Sequence, residues 1–276
     1  MSRTMVVVGS VLALALSTAM AAEVSSPAVK LPAEQIVARN VAARGGLQAW
    51  KAVQTLGMSG KMDAGGNETP ARLAAPGVKA AGAQLPKRPA EQARLPFRLE
   101  LKRGRKSRLE IDFRGETAVQ VYDGTNGWKL RPFLNRHEVE PFTPDEMKAV
   151  AMQSDLDGPL VDYTAKGTKI EVEGTDKVEG NDAYRLKLTL SNGQSQHLWV
   201  DAKSFLETKL EGVPRRLDGK MHAVEVYYRN YRTVNGLVMP SLMETRVEGV
   251  KQVEKIEVEK FIVNPRLEDA RFAKLQ

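Results

Sequence analysis

A stretch of alternating apolar and polar residues, 98–133, constrains the fold more than any other part of the chain. A period of two residues is typical of a β-strand with one buried face. Glycine-rich segments separate the runs, and glycine tolerates the positive φ of hairpin turns. The stretch therefore predicts an antiparallel meander that the rest of the chain extends or covers. Its alternating apolar residues are Leu99, Leu101, Leu109, Ile111, Phe113, Val119, Val121, Trp128 and Leu130.

The same alternation returns at residue 169 and continues to about residue 263, which predicts about a dozen strands in all. It shifts at Phe261, which indicates a β-bulge there. Helical patterns occupy residues 32–53, 144–153 and 267–275. A long one-sided sheet must hide its apolar face, either by closing into a barrel or by lying under helices. We expect a mainly β, α+β fold: a curled antiparallel sheet that forms an incomplete β-barrel, with helices covering its concave face.

The first residues have the pattern of a secretory signal peptide. Arg3 is followed by the apolar residues 5–16, and Ala19-Met20-Ala21 fits the small-residue cleavage rule. An uncleaved anchoring segment is the alternative. We therefore expect a signal peptide at residues 1–21 and a single domain at residues 22–276. The chain has no cysteine, which excludes disulfides and thiol catalysis within it.

Residues 63–94 differ in composition from the rest of the chain. They are rich in alanine, glycine and proline without a sustained period, and they predict a mobile loop inside the first hairpin. The loop is either a lid or partner-binding arm, or a tolerated insertion. The chain's formal net charge of +7 comes from interleaved charges, which indicate a solvated surface and not a nucleic-acid site. A weak preference for anionic membrane surfaces is compatible with it.

Motifs that carry chemistry are missing from the sequence. His137, His197 and His222 stand singly, without the spacing of zinc ligands. Asp155 and Asp157 lack the other ligands of a calcium loop and are interpreted as turn residues. Neither a nucleophile elbow nor a phosphate loop occurs. We therefore expect no enzyme, no metal and no cofactor.

Large apolar residues on the predicted strands and helices are the candidate binding residues. They would either line a cavity for acyl chains, in which flexible methionines adapt to irregular ligands, or fill a packed core. Periodicity alone does not distinguish the two. The candidates are Trp50, Tyr122, Trp128, Met147, Val150, Met152, Tyr184, Leu186, Leu188, Tyr228 and Met239.

Several ordered motifs resemble those of the LolA-like superfamily, specifically the outer membrane lipoprotein-sorting group. They include Ala43-Arg44-Gly45-Gly46-Leu47 after the first helix, residues 122–128 (YDGTNGW), and Asp157-Gly158-Pro159 after the helix at 144–153. The resemblance implies an incomplete β-barrel closed by helices over a hydrophobic cavity. It also leaves Arg44 and Arg98 as candidates for the arginine that holds the helices closed in such carriers.

The resemblance implies a function in the periplasm of a Gram-negative bacterium. Characterised members carry the acyl chains of lipoproteins, without a catalytic step, between an inner-membrane donor and an outer-membrane acceptor. We therefore expect a monomeric carrier of lipoprotein or lipid acyl chains that binds no nucleic acid. The alternative is a non-catalytic envelope sensor or protein-interaction module on the same fold.

Overall fold

The computed structural model describes residues 31–65, 92–132, 136–217 and 219–275. The predicted signal peptide lies outside these ranges, as does most of the predicted loop at 63–94. The pairing of the first hairpin extends into both ends of that loop, because residues 63–65 pair with residues 92–94.

The described chain contains three α-helices, fifteen strands and a short C-terminal 3₁₀ helix. The helices are α1 (Ala33–Ala43), α2 (Leu47–Ala52) and α3 (Pro144–Gln153), and the 3₁₀ helix is Asp269–Phe272. The first half of the chain contributes strands β1 (Thr55–Gly65), β2 (Gln92–Lys102), β3 (Lys106–Phe113), β4 (Glu116–Tyr122), β5 (Gly127–Arg131) and β6 (Arg136–Pro141). The second half contributes β7 (Lys169–Val178), β8 (Asn181–Thr189), β9 (Ser195–Asp201), β10 (Glu207–Glu211), β11 (Arg215–Leu217), β12 (Lys220–His222), β13 (Val224–Val234), β14 (Leu237–Val247) and β15 (Glu254–Val263).

Thirteen of these strands form one antiparallel sheet in the order β6-β5-β4-β3-β2-β1-β15-β14-β13-β10-β9-β8-β7. The two end strands, β6 and β7, are not joined to each other, so the sheet is open. Strands β11 and β12 form a separate two-stranded sheet. The expected fold class, a mainly β chain with a curled antiparallel sheet and an incomplete barrel, is confirmed.

Local sequence signals explain where the helices begin and end. Thr143 accepts a hydrogen bond from the Glu146 backbone while the Glu146 side chain bonds back to Thr143, which forms a capping box at the start of α3. Helix α1 ends just before Gly45, whose φ is +109°. A Cβ at Gly45 would clash with the backbone oxygen of Gly236, so only glycine allows α1 to end this close to the β13–β14 turn.

A β-bulge lies two residues before its predicted position at Phe261. Ser59 pairs with Lys260 and Gly60 pairs with Val258, so Glu259 is the extra residue of β15. A Cβ at Gly60 would overlap the Glu257 carbonyl, which explains the glycine opposite the bulge. The alternation of apolar residues shifts only after the extra residue, and the sequence pattern therefore placed the bulge late.

The pairing register defines the two faces of the sheet, because directly opposed residues share a face. Leu56, Leu101, Ser107 and Tyr122 are opposed in succession across β1 to β4. We call their face the inner face, since α1 and α2 pack on it. The opposite, outer face is covered in part by the C-terminal 3₁₀ helix, whose Phe272 is buried against residues of β4.

Candidate functional site

Helices α1 and α2 cover part of the inner face through two buried apolar clusters. The first joins α1 to strands β8 and β9 and contains Ile36, Val37, Leu160, Tyr184, Leu186, Leu188, Leu198 and Val200. The second joins α2 to strands β1, β2 and β14 and contains Trp50, Val53, Leu56, Leu101, Leu156, Val161, Leu237 and Met239. Val41 of α1 packs against both clusters. This part of the inner face is a packed core.

The structure divides the predicted binding residues among several places. Tyr184, Leu186 and Leu188 lie in the first cluster, and Trp50 and Met239 lie in the second. Tyr122 is buried on the inner face, where its hydroxyl donates to the Gly124 carbonyl at 2.8 Å.

Trp128 does not join these residues. It is opposed to Val121, which is opposed to Arg108. Arg108 follows the inward-facing Ser107 on β3, so Arg108, Val121 and Trp128 all lie on the outer face. Sequence alternation does not fix this face, because a turn separates Trp128 from the strand before it.

Helix α3 carries the next three candidates, Met147, Val150 and Met152. All three are half-buried, and none of the residues of α3 is fully buried. Polar contacts tie the helix and the residue after it to the sheet. The Lys129 ammonium donates to the Glu146 carboxylate at 2.5–2.6 Å, and the Ser154 hydroxyl donates to Ser107 at 2.8 Å. Helix α3 is therefore a looser cover than α1 and α2.

Tyr228 belongs to a row of apolar side chains that crosses five neighbouring strands on the inner face. Each member is opposed to the next in the register. Each is half-buried, and the row lies outside both packed clusters. We call it the apolar row, and its members in spatial order are Leu95, Met62, Ile256, Met243 and Tyr228.

A buried arginine fixes α1 to the sheet. Arg44 Nη1 donates to the Asp157 backbone oxygen at 2.9 Å and to Glu207 Oε1 at 3.2 Å, and its guanidinium lies 4.4 Å from the ring centroid of Trp50. The Arg44 carbonyl accepts hydrogen bonds from Trp50 Nε1 and from the Val238 amide. We call Arg44, Asp157 and Glu207 the polar latch. Arg98, the other predicted candidate, is exposed on β2.

Two buried polar atoms, one in the polar latch and one a helical turn before it, lack hydrogen-bond partners. Arg44 Nε and Asn40 Oδ1 are buried without a hydrogen-bond partner. Both residues lie on the buried side of α1 with Ile36, at positions i, i+4 and i+8. Unpaired buried polar atoms are costly, so α1 is held less tightly than its burial alone indicates.

A second ion cluster extends the polar latch through the Asp157 side chain. Arg103 Nη1 donates to Asp157 Oδ2 at 2.9 Å, and Lys166 Nζ contacts Asp157 Oδ1 at 2.6 Å and Asp155 Oδ2 at 2.8 Å. Burial acts to raise the pKa of Asp157, but the hydrogen bond and charge of Lys166, with further hydrogen bonds from Asp155 and Arg103, outweigh it and lower that pKa. Burial dominates at Asp155 and raises its pKa.

Two tyrosines lie close to the polar latch. The Tyr231 hydroxyl donates to the Glu207 carbonyl at 2.7 Å. Burial, followed by the nearby Glu207 charge, raises the pKa of both Tyr231 and Tyr228. Both side chains are half-buried.

An open groove of about 500 Å³ runs along α1 beside residues 160–164. Its lining is mainly apolar and includes Val37, Val41, Leu47, Leu160 and Tyr163. A second groove, of about 480 Å³, lies on the outer face and is mostly charged, with Asp63, Arg94, Lys255 and Glu257 in its wall. Only the first groove adjoins the helix-covered core.

Within the described ranges, no helix is long and apolar enough to cross a membrane, and no group of three or more His, Asp or Glu side chains is arranged to hold a metal ion. His197 instead lies between two carboxylates, with Nδ1 2.5 Å from Glu211 and Nε2 3.2 Å from Glu173. His222 Nδ1 lies 2.9 Å from the Glu248 backbone oxygen.

Comparison with solved structures identifies the fold. The chain is similar to a LolA superfamily protein from Nitrosomonas europaea, with 14% identity, a TM-score of 0.53, and 88% of this chain and 98% of that chain covered. It is similar to a DUF1329 family protein from Desulfovibrio piger, with 16% identity, a TM-score of 0.53, and 88% and 97% covered. It is also similar to a candidate outer membrane lipoprotein-sorting protein domain from Vibrio parahaemolyticus, with 13% identity, a TM-score of 0.53, and 87% and 95% covered.

No family model and no curated protein sequence matches the chain. The likeness to the solved structures covers nearly all of the described chain, and the predicted resemblance to the LolA-like group is confirmed at the level of the fold. At these identities the likeness carries no further information about ligands or partners.

Sequence reasoning did not find most of the polar residues that organise the site. Asn40 and Arg44 had a signal, because they continue the spacing of Ile36 on the buried side of α1. Glu207 had none, since it lies 163 residues from Arg44, and Asp157, which lies 113 residues from Arg44, is interpreted from the sequence only as a turn residue of the Asp157-Gly158-Pro159 motif. Met62, Met243 and Ile256 each fit the alternation of their own strand, but only the register shows that they are adjacent.

Proposed function

We propose that this protein carries hydrophobic ligands, binding the acyl chains of lipoproteins or lipids in the periplasm of a Gram-negative bacterium. The open sheet with helices on its inner face supports this function. The proposal involves no chemical step: the protein binds, shields and releases its ligand. An inner-membrane donor and an outer-membrane acceptor are the proposed partners of this exchange.

The apolar row is the observation that carries the proposal. Five half-buried apolar side chains lie side by side on the inner face, outside the packed clusters, and two of them are methionines. Flexible methionine side chains adapt to ligands of irregular shape. Each CH₂ group of an acyl chain laid on this row would contribute about 0.8 kcal/mol, so partial insertion gives useful affinity.

Opening of the polar latch would give the ligand a route of entry. Helix α1 is attached by a buried ion pair, and the attraction of such a pair is largely offset by the cost of removing both charges from water. The unpartnered Arg44 Nε and Asn40 Oδ1 add to that cost. Moving α1 and α2 away from the sheet would rehydrate these groups and uncover the part of the inner face next to the apolar row, where a ligand on the row would replace the apolar contacts of the helices.

The decisive experiment is native mass spectrometry of the protein purified from the periplasm, followed by organic extraction. A co-purifying phospholipid or acylated protein would support the carrier function and identify the ligand class. A homogeneous ligand-free mass that does not change after incubation with lipids would contradict it.

A matched pair of variants locates the site. Met243→Asp places a charge in the apolar row, whereas Leu242→Asp places the same charge on the next residue, which faces the opposite side of the same strand. We expect the first to lose the bound lipid and the second to keep it, with circular dichroism checking that both fold. Met147→Asp tests in the same way whether α3 contributes to lipid binding. Equal lipid content in Met243→Asp and Leu242→Asp would show that the apolar row is not the site.

A further inference from the structure

The β11–β12 hairpin stands apart from the main sheet. Its two short strands pair only with each other, with Arg215 opposite His222, Arg216 opposite Met221 and Leu217 opposite Lys220. It interrupts the chain between β10 and β13, which are themselves neighbours in the main sheet. The hairpin is therefore an insertion between two neighbouring strands of the main sheet and does not belong to that sheet.

One side of the hairpin is attached to the body of the protein. Arg215 donates two hydrogen bonds to the Glu254 carboxylate, at 2.8 and 2.9 Å. His222, directly opposite Arg215, lies with Nδ1 2.9 Å from the Glu248 backbone oxygen. Because opposed residues share a face, Arg216 and Met221 form the other side, and both are exposed.

Exposed apolar surface is concentrated at this hairpin. Among the described residues, the large hydrophobic side chains that are exposed are Met221 at 56%, Val213 at 45% and Ile262 at 44%. The first two lie in or immediately before the hairpin. Two exposed cations accompany them, Arg216 and Lys220, while Asp218 of the turn lies outside the described residues. Apolar side chains bordered by basic ones are typical of surfaces that rest on anionic lipids.

We propose that the exposed side chains at this hairpin, Arg216 and Met221 on its free side together with Lys220 beside the turn and Val213 just before β11, dock the protein onto the surface of an anionic lipid bilayer. Met221 and Val213 enter the boundary between headgroups and acyl chains, and the two cations lie among the lipid phosphates. The chain's formal net charge of +7 favours the same approach. The docking needs no ligand on the inner face, so it can be tested separately from the proposed carrier function.

A lipid surface fits this hairpin better than a protein partner does. Stable protein interfaces bury roughly 1,200–2,000 Å² in total and place large anchors in complementary pockets. The exposed apolar side chains of Met221, on the hairpin, and Val213, just before it, provide far less area than that. Apolar side chains at the headgroup boundary and basic neighbours beside them both contribute to membrane binding, and so small an apolar contribution makes the contact weak and reversible. Such contact suits a protein that must leave the membrane again.

The test is co-sedimentation of the purified protein, with the predicted signal peptide removed, with two kinds of vesicle. One contains phosphatidylglycerol and phosphatidylethanolamine, and the other contains phosphatidylcholine alone. We expect binding to the anionic vesicles only, and weaker binding as salt screens the charges. Met221→Glu and the double variant Arg216→Glu/Lys220→Glu should each weaken binding about tenfold or more. Ile262→Glu, which changes a comparably exposed side chain on β15, should bind as the unmodified protein does.

Three outcomes would overturn the proposal: no binding to anionic vesicles, equal binding of Met221→Glu and the unmodified protein, or equal losses in Met221→Glu and Ile262→Glu. Loss of a crosslinked protein neighbour in Met221→Glu, with vesicle binding retained, would assign the hairpin to a protein partner instead. Lipid extracted from the same samples reports separately on the inner face. Met221→Glu should keep its bound lipid, and a result in which both properties fail is checked for folding by circular dichroism.

Discussion

The two ends of the inner face are built from similar alternating strands but are covered differently. Under α1 and α2, side chains such as Leu186, Leu188 and Trp50 are at most 1% exposed. Along the apolar row, residues of the same chemical character remain half-buried. Alternation therefore decides which residues face inward, whereas the helices decide which of those residues become core.

This difference separates stability from binding. Residues packed under α1 and α2 should control the free energy of unfolding, because removing them leaves a cavity that cannot collapse. Residues of the apolar row should control ligand content, since they are half-buried and lie outside both packed clusters. Substitutions at the two ends should therefore separate loss of stability from loss of ligand.

Breaking the polar latch should have the largest effect on stability. Glu207→Leu leaves the Arg44 charge buried without its carboxylate partner, and breaking a buried pair in this way costs about 3–5 kcal/mol. The double variant Arg44→Met/Glu207→Leu removes both charges and should recover most of that loss. Urea unfolding measures all three free energies. A double variant less stable than Glu207→Leu would show that the ion pair itself stabilises α1 on the sheet.

The packed and half-buried ends can be compared with two truncations of similar size. Leu186→Ala removes a fully buried side chain and should lower the free energy of unfolding by about 2–5 kcal/mol. Met243→Ala should cost less, about 1 kcal/mol or below, because part of its surface already faces solvent. Urea unfolding measures both, and extraction of bound lipid should show the reverse order. Equal destabilisation by the two variants would mean that the apolar row is ordinary core.

The architecture could be predicted from the sequence, but the arrangement of the candidate site could not. Alternation predicted the meander, and proline, glycine and threonine signals predicted α3 at the residues where it occurs, because these features depend on near neighbours. The polar latch depends on contacts across more than 100 residues, as between Arg44 and Glu207, which no local pattern records. Trp128 illustrates the same limit, since a turn hides which face of the sheet its strand presents.

Helix α3 should show the smallest and most local effect. Glu146 both caps the helix and bonds to Lys129. Burial acts to raise its pKa, but Lys129 and the Thr143 backbone outweigh burial and lower the pKa from its ordinary value of 4.5. Glu146→Gln should therefore cost about 1 kcal/mol at pH 7, a low figure because the carboxylate is 39% exposed.

The pH dependence of this variant follows from the direction of the pKa shift. A carboxyl group whose pKa is lowered in the folded state stabilises the protein fully at pH values above its pKa in the unfolded state. This stabilisation is lost as the pH falls through the pKa of the group in the folded state. The difference between Glu146→Gln and the unmodified protein should thus shrink progressively below pH 4.5. Amide hydrogen exchange should place the effect within residues 144–153, because α3 has no fully buried side chain to couple it to the core. Faster exchange in α1 as well would show that α3 and the polar latch open together, and the two covers of the inner face would then be one cooperative unit.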